Sequence, residues 1–191
     1  MKIEELLDEF DFELLKKNII VIKSEICDDL VIIFQKAMAI LAIWGNPDIT
    51  IYIKSNGGNT KASLDIYDMI SNYPGKTTGI AIGFAKSAAV TILQACNKRK
   101  SYAHSSFLIH YIVLSNISLV TLIKKKKLKA LIKDSKKSHK RVENILVEKT
   151  GLSRKKIRSE CLKDYEITAK KAFKLGLIDE IITGEQEKEH E

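Results

Sequence analysis

Ser87 lies in the stretch GFAKSAAV, residues 83–90, between the apolar runs GIAI and TILQAC. Small residues on both sides of a serine suit a tight strand-to-helix turn, where bulk at either neighbour would block the bend. The same pattern also suits a close-packed helix that begins at a serine. A serine hydroxyl is a weak nucleophile and needs a base within reach. Of the four histidines, His139 lies in a lysine-rich run and His190 in the acidic tail, which leaves His104 and His110. His104 sits in the polar turn YAHSS, whereas His110 sits in the apolar segment SFLIHYIV. His110 therefore reads either as a core residue or, beside a serine elbow, as the base. Gly58 follows a strand and begins a helix, and Ala88 is the first residue after the elbow. Backbone N–H groups at helix starts are unpaired and sit at the positive end of the dipole. Those of Gly58 and Ala88, if they converge, would make an oxyanion hole.

The elements that must position these residues follow from periodicity. NIIVIKSEI (18–26) predicts a strand, and DDLVIIFQKAMAILAIWG predicts a helix opened by Asp28 or Asp29 and ended by Gly45. DITIYIKS (48–55) is a strand by its β-branched and aromatic content. NGG (56–58) would suggest a hairpin, but Ala62, Ile66, Met69 and Ile70 recur at helical spacing after it. The pattern repeats as strand 77–85, Ser87, and a small-residue helix from Ala88 to Cys96. SFLIHYIV (106–113) reads as a third strand, apolar on both faces. A long helix over about 119–149 carries Leu128, Leu131, Ile132, Val142, Ile145 and Leu146 on one stripe. Ser153 caps a further helix, and AKKAFKLGLIDEII is a helix stopped at Gly176 before a short strand. Repeated strand–glycine turn–helix units give an α/β fold with a largely parallel sheet.

The chain has 191 residues, 45% of them hydrophobic and 29% charged, which bounds it to one globular domain. The N-terminus is acidic and amphipathic, without the apolar centre of a signal peptide, and no apolar run is long enough to span a bilayer. Cys27, Cys96 and Cys161 show no metal-ligand spacing, so free thiols in a cytoplasmic setting are expected, with no metal and no cofactor. The net charge of +8 is concentrated in KKKKLKALIKDSKKSHKR, residues 124–141, with ten Lys/Arg against Asp134. That run lacks interleaved aromatics and any nucleic-acid module, so it reads as a solvated helix face rather than a nucleic-acid or membrane surface.

Several segments, taken in order, resemble the proteolytic subunit family of the Clp protease (ClpP), in the ClpP/crotonase superfamily. They are LLKKNIIVIKSEI, ITIYIKSNGGNTKASLDIYDMI, GIAIGFAKSAA, SSFLIHY and KTGLSRKKIRSECLKDYEITAKKAFKLGLIDEII, over roughly residues 12–183. The combination of a GG turn, a G-x-A-x-S-small-small block and a strand ending in I-H is specific. So is the C-terminal pattern from Asp164 to Asp179. The resemblance implies a ClpP-type serine endopeptidase, a member of the S14-like peptidases, with a spiral of β-β-α units and a protruding handle helix. Its Ser-His-Asp triad falls on Ser87, His110 and Asp164, and its oxyanion donors on Gly58 and Ala88. It also implies a homo-oligomeric ring, a peptide or unfolded-protein substrate, and a domain over 18–183 flanked by an N-terminal segment (1–17) and an acidic tail (184–191). Asn56 stands where the family has proline, Lys86 where it has a small residue, and YIVLSNIS replaces the family's glycine-rich strand. The N-terminal segment is short for the family's axial loop. These departures argue against coupling to an AAA+ unfoldase and against the usual two-ring particle. Two alternatives stand beside the triad: a Ser-Lys enzyme of signal-peptide-peptidase type with Lys86 as base, and a weakly active or regulatory ring subunit.

Overall fold

A computed structural model describes residues 7–114 and 117–183. The acidic tail and the first six residues lie outside them. Helix α1 (Glu9–Lys16) is capped by Asp8, whose carboxylate accepts from the Asp11 N–H, and it buries Phe12 and Leu15. Strand β1 (Ile19–Ile22) is shorter than the expected 18–26, because only four residues pair with the next strand. Helix α2 (Asp28–Ile43) has Cys27, not an aspartate, at its N-cap position; Asp28 and Asp29 occupy its first turn, where negative charge suits the helix dipole. Strand β2 (Ile49–Ser55) alternates buried and half-buried residues, and helix α3 (Thr60–Ser71) is capped by the Asn59 side chain.

Strand β3 (Thr77–Lys86) leads through Ser87 into α4 (Ala88–Ala95), all eight of whose residues are buried. Two strands escape the sequence pattern: β4 (Lys98–Tyr102), and the two-residue β6 (Ile167–Thr168). In β4 the inward positions are Arg99 and Ser101, so no apolar alternation marks it. Strand β5 (Ser106–Leu108) stops well short of the expected residue 113. Phe107 and Ile109 are buried while Leu108 and His110 are only half-buried, so one face of this segment is core and the other is not. The long helix is divided at Lys124 into α5 (Leu119–Ile123) and α6 (Lys125–Thr150), the latter ended by left-handed Gly151. Of its expected apolar stripe only Leu146 is buried; Ile132 is exposed. Helices α7 (Arg154–Lys163), capped by Ser153, and α8 (Ala169–Lys174), capped by Thr168, precede β7 (Glu180–Ile182).

The sheet runs β1-β2-β3-β4-β7, every neighbour parallel, as the α/β pattern predicts. Strand β3 serves two partners. Its first half pairs with β4 (Thr78↔Lys98 to Ala81↔Ser101), and its last residues pair with β5 (Phe84↔Ser106 to Lys86↔Leu108). Between them it bulges against β2 and passes through left-handed Gly83. Helices α2, α3 and α4 pack side by side, and α4 lies over β3 and β2. At its far end a buried polar cluster replaces apolar packing. The Arg99 guanidinium donates to Gln94 Oε1 at 2.6 Å, to the Gly176 carbonyl at 2.9 Å, and to Asp179. Burial alone would raise the Asp179 carboxyl, but the Arg99 bonds outweigh it and hold the acid below its ordinary value.

Candidate active site

Ser87 has φ 53° and ψ −122°, a left-handed backbone that a residue with a side chain adopts only under constraint. Three neighbours impose it. The Ser87 N–H donates to the Leu108 carbonyl at 2.8 Å, extending the β3–β5 ladder by one rung. The Ser87 carbonyl accepts from the Val90 N–H at 3.0 Å, closing the first turn of α4. Gly57 lies against the bend: a methyl group there would come within 2.7 Å of the Lys86 carbonyl and 2.8 Å of the Ser87 Cβ. Ala85 and Ala89 are fully buried, so the small neighbours of the elbow serve close packing as well as the bend itself.

The same rung places His110. Leu108 is paired with Lys86 and bonded to Ser87, and His110, two residues further on, lines the same cleft as the serine. Ser87, His110 and Gly58 all line one open cleft of about 980 Å³. A smaller cavity of about 30 Å³ opens beside Ser87 and His110 and is also lined by Ala88. The Gly58 turn is fixed by a bridge to Ile26, whose N–H donates to the Gly57 carbonyl and whose carbonyl accepts from the Asn59 N–H. Both bonds use Gly58's neighbours, which leaves its own N–H out of the bridge. Gly58 has φ +145°, and an added methyl would collide with the Ile26 carbonyl at 2.3 Å. Ala88, as the first residue of α4, likewise has no partner within the helix.

Asp164 is the left-handed residue that ends α7, three positions before β6. Antiparallel pairing of β6 with β5 (Phe107↔Ile167) brings it beside His110. Its Oδ1 lies 3.6 Å from His110 Nδ1, an ion-pair distance too long for a hydrogen bond, and its side chain is 69% exposed. Lys86 is otherwise engaged: its Nζ donates to Glu166 Oε1 at 2.6 Å, while the second oxygen of Glu166 accepts from Ser106 at 2.8 Å. The Lys86 bond is the larger reason the Glu166 carboxyl is held below its ordinary value. Two of the three thiols are held in the unreactive neutral form: burial pushes Cys96 up to about 12 and Cys161 up to about 11.

Sequence reasoning brought Ser87, His110, Gly58 and Ala88 to one place, and the structure assembles them around the two cavities. It gave Gly57 no role beyond the GG turn, and it missed Leu108 and Glu166. It also set aside His139, which lines the smaller cavity. The spacing of His139, Val142 and Leu146, three and four residues apart, was the available signal. Among the described residues no group of three or more His, Cys, Asp or Glu could hold a metal, and no helix is long and apolar enough to cross a membrane.

A family model described as Clp protease matches residues 4–185. Among solved structures, the chain is similar to a mutant of ClpP1 from Listeria monocytogenes, with a TM-score of 0.81 and 24% identity. That match covers 93% of this chain and 98% of the other. At this identity the likeness speaks to the fold: the mixed α/β architecture with a mostly parallel sheet is that of the solved structure.

Proposed function

The chain belongs to the Clp protease family, whose members form oligomeric rings, and on that premise we propose that it is a serine endopeptidase hydrolysing peptides or unfolded proteins inside such a ring. Ser87 is the nucleophile, His110 the base and Asp164 the residue that orients it. The observation that carries this reading is the left-handed Ser87 at the N-terminus of a fully buried helix, on a cleft shared with a histidine and a free glycine N–H.

With Nδ1 turned to Asp164, the His110 imidazole has Nε2 available for the serine proton. Ser87 Oγ bonds to the scissile carbonyl carbon as His110 takes that proton. The carbonyl oxygen becomes an oxyanion that accepts from the N–H groups of Gly58 and Ala88. Collapse breaks the C–N bond, and the leaving amine takes the proton from His110. Water then repeats the sequence on the acyl-serine, releasing the acid and restoring the hydroxyl. Asp164 must close from 3.6 Å to hydrogen-bond distance to hold the tautomer, a tightening common on substrate binding. The ion pair between Lys86 and Glu166 speaks against the Ser-Lys alternative. No cofactor enters the scheme. We place the protein in the cytoplasm, in keeping with its three free thiols. The charged handle disfavours a tight two-ring particle.

Fluorophosphonate labelling of the intact protein, with native mass measurement, tests the assignment. The wild type labels and Ser87→Ala does not. Labelling that persists in Ser87→Ala rejects the nucleophile, and an assembled wild type that never labels indicates a non-catalytic ring subunit instead.

A further inference from the structure

His139 belongs to α6, inside the lysine-rich run, yet its ring turns inward. With Val142 and Leu146 it forms the stripe of α6 that walls the small cavity beside Ser87 and His110. Val90, Ile109 and Ile112 supply much of the remaining wall, so the lining is apolar except for the reacting groups, two threonines and this imidazole. Its Nδ1 is buried and has no hydrogen-bond partner, alone in this respect among the described residues. Tyr111 stacks on the ring with centroids 4.4 Å apart and planes at 23°, which fixes the plane in which the nitrogen can be approached. A buried polar atom left unpaired is costly in a folded protein and points to a partner supplied from elsewhere. Burial pushes the His139 imidazole below its ordinary value, which Glu143 opposes and Arg158 and His110 reinforce. The ring is therefore neutral at neutral pH and offers one donor and one acceptor. Arg154 and Arg158, on α7, are bonded to Glu143 of α6, and no lysine or arginine lines the cavity to meet a carboxylate.

We propose that His139 is a specificity residue for the peptidase reaction: the residue whose carbonyl Ser87 attacks carries a short uncharged side chain ending in a hydrogen-bonding group, of the serine, threonine or asparagine class. The inference rests on the serine peptidase reading, since it is acylation of Ser87 that directs a side chain into this cavity. The volume of about 30 Å³ supports it. At roughly 10–15 Å³ for each enclosed water, the cavity takes about two waters or a short side chain, not an aromatic one. Purely apolar side chains of the same size would fill the space and leave Nδ1 unpaired. The walls would accept them, but His139 discriminates against them.

The test compares fluorogenic peptides that are identical except at that residue, in the isosteric pairs threonine against valine and asparagine against leucine. The intact wild-type protein is expected to favour the hydrogen-bonding member of each pair by about tenfold in kcat/KM, the contribution of one net hydrogen bond. His139→Leu should bring both ratios to one or below, and His139→Gln, which keeps a hydrogen-bonding group, should retain part of the preference. Wild type that prefers valine and leucine overturns the assignment without reference to any variant. Ratios that are the same in wild type and His139→Leu also overturn it. Fluorophosphonate labelling run alongside separates the two readings. A protein that labels at Ser87 but shows no such preference loses only the role of His139, whereas one that neither labels nor cleaves loses the peptidase reading and this one with it.

Discussion

Helices α4 and α6 meet beside the cleft and are opposite in character. Every residue of α4 is buried, whereas α6, more than three times as long, buries only Glu143 and Leu146. The chain covers α4 with its own sheet and helices and ties its end to Arg99 through Gln94. It leaves α6 largely uncovered, anchored through Leu146 and through ion pairs from Glu143 to Arg154 and Arg158. Ser87 thus stands on the part whose position is determined within one chain. The wall opposite stands on the part whose exposed apolar and basic surfaces depend on surroundings.

The sharpest way to break this contrast is at Gly57. Gly57→Ala forces a methyl into the Lys86 carbonyl and the Ser87 Cβ, with φ already at +96°. Displacing the elbow by even part of an ångström should lower the fluorophosphonate labelling rate about 100-fold. Labelling at the wild-type rate would mean that the elbow is softer than α4's burial implies. The next largest effect is expected at Arg99. Arg99→Ala strands Gln94, Asp179 and the Gly176 carbonyl, and should cost about 3 kcal/mol in urea unfolding, in the range for one partner lost from a buried pair.

Glu143→Gln probes the weaker anchor of α6. Burial raises the Glu143 carboxyl, but the bonds from Arg158 and Arg154 prevail and hold it below the ordinary 4.5. A carboxyl with a depressed folded value stabilises above its unfolded value and stops doing so as pH falls through the folded one. Wild type should therefore exceed Glu143→Gln by about 1.5 kcal/mol at pH 7, typical of bonds to a charged group. The gap should hold down to the ordinary value of 4.5 and close below it, as read by denaturant midpoints at each pH. Constant separation to pH 3 would show that the charge is not what anchors α6. The smallest effect on stability is expected from Lys127→Gln, within about 0.5 kcal/mol for an exposed side chain. The wider lysine run instead governs association. A two-fold contact between rings through this helix would set each +9 patch against its copy, so single rings or smaller species are expected at low salt and two rings with added salt. A stable double ring at low salt, seen by native mass measurement without bound anion, would contradict that.

How far the sequence reveals these parts follows the same division. The β2–GG–α3 and β3–Ser87–α4 units are legible because β-branched strands, glycines and a small-residue helix each state the same local structure. Strand β4 is not, because Arg99 and Ser101 fill its inward positions, and Arg99 is satisfied in large part by groups far away in sequence, Asp179 and the Gly176 carbonyl. The run IHYIV misleads in the other direction: Ile109 is apolar because it packs in the core, not because the ladder continues. Asp164 has no local signature at all, and only the family resemblance singled it out. His139 is hidden by its lysine neighbours, whose charges describe the opposite face of the same helix.

The single rung from the Ser87 N–H to the Leu108 carbonyl sets an order of failure. Serine and histidine are separated from that shared bond by at most two residues, so thermal displacement of one carries the other along. Asp164 reaches His110 over a longer route, through the two-residue β6 and an exposed helix end. Mild heating should therefore detach the acid first. A population would remain in which the hydroxyl and imidazole keep company and reagents still find the serine, while turnover has already faded. Amide hydrogen exchange would register the two events as separate: a slow Ser87 N–H beside fast exchange at Tyr165 and Glu166.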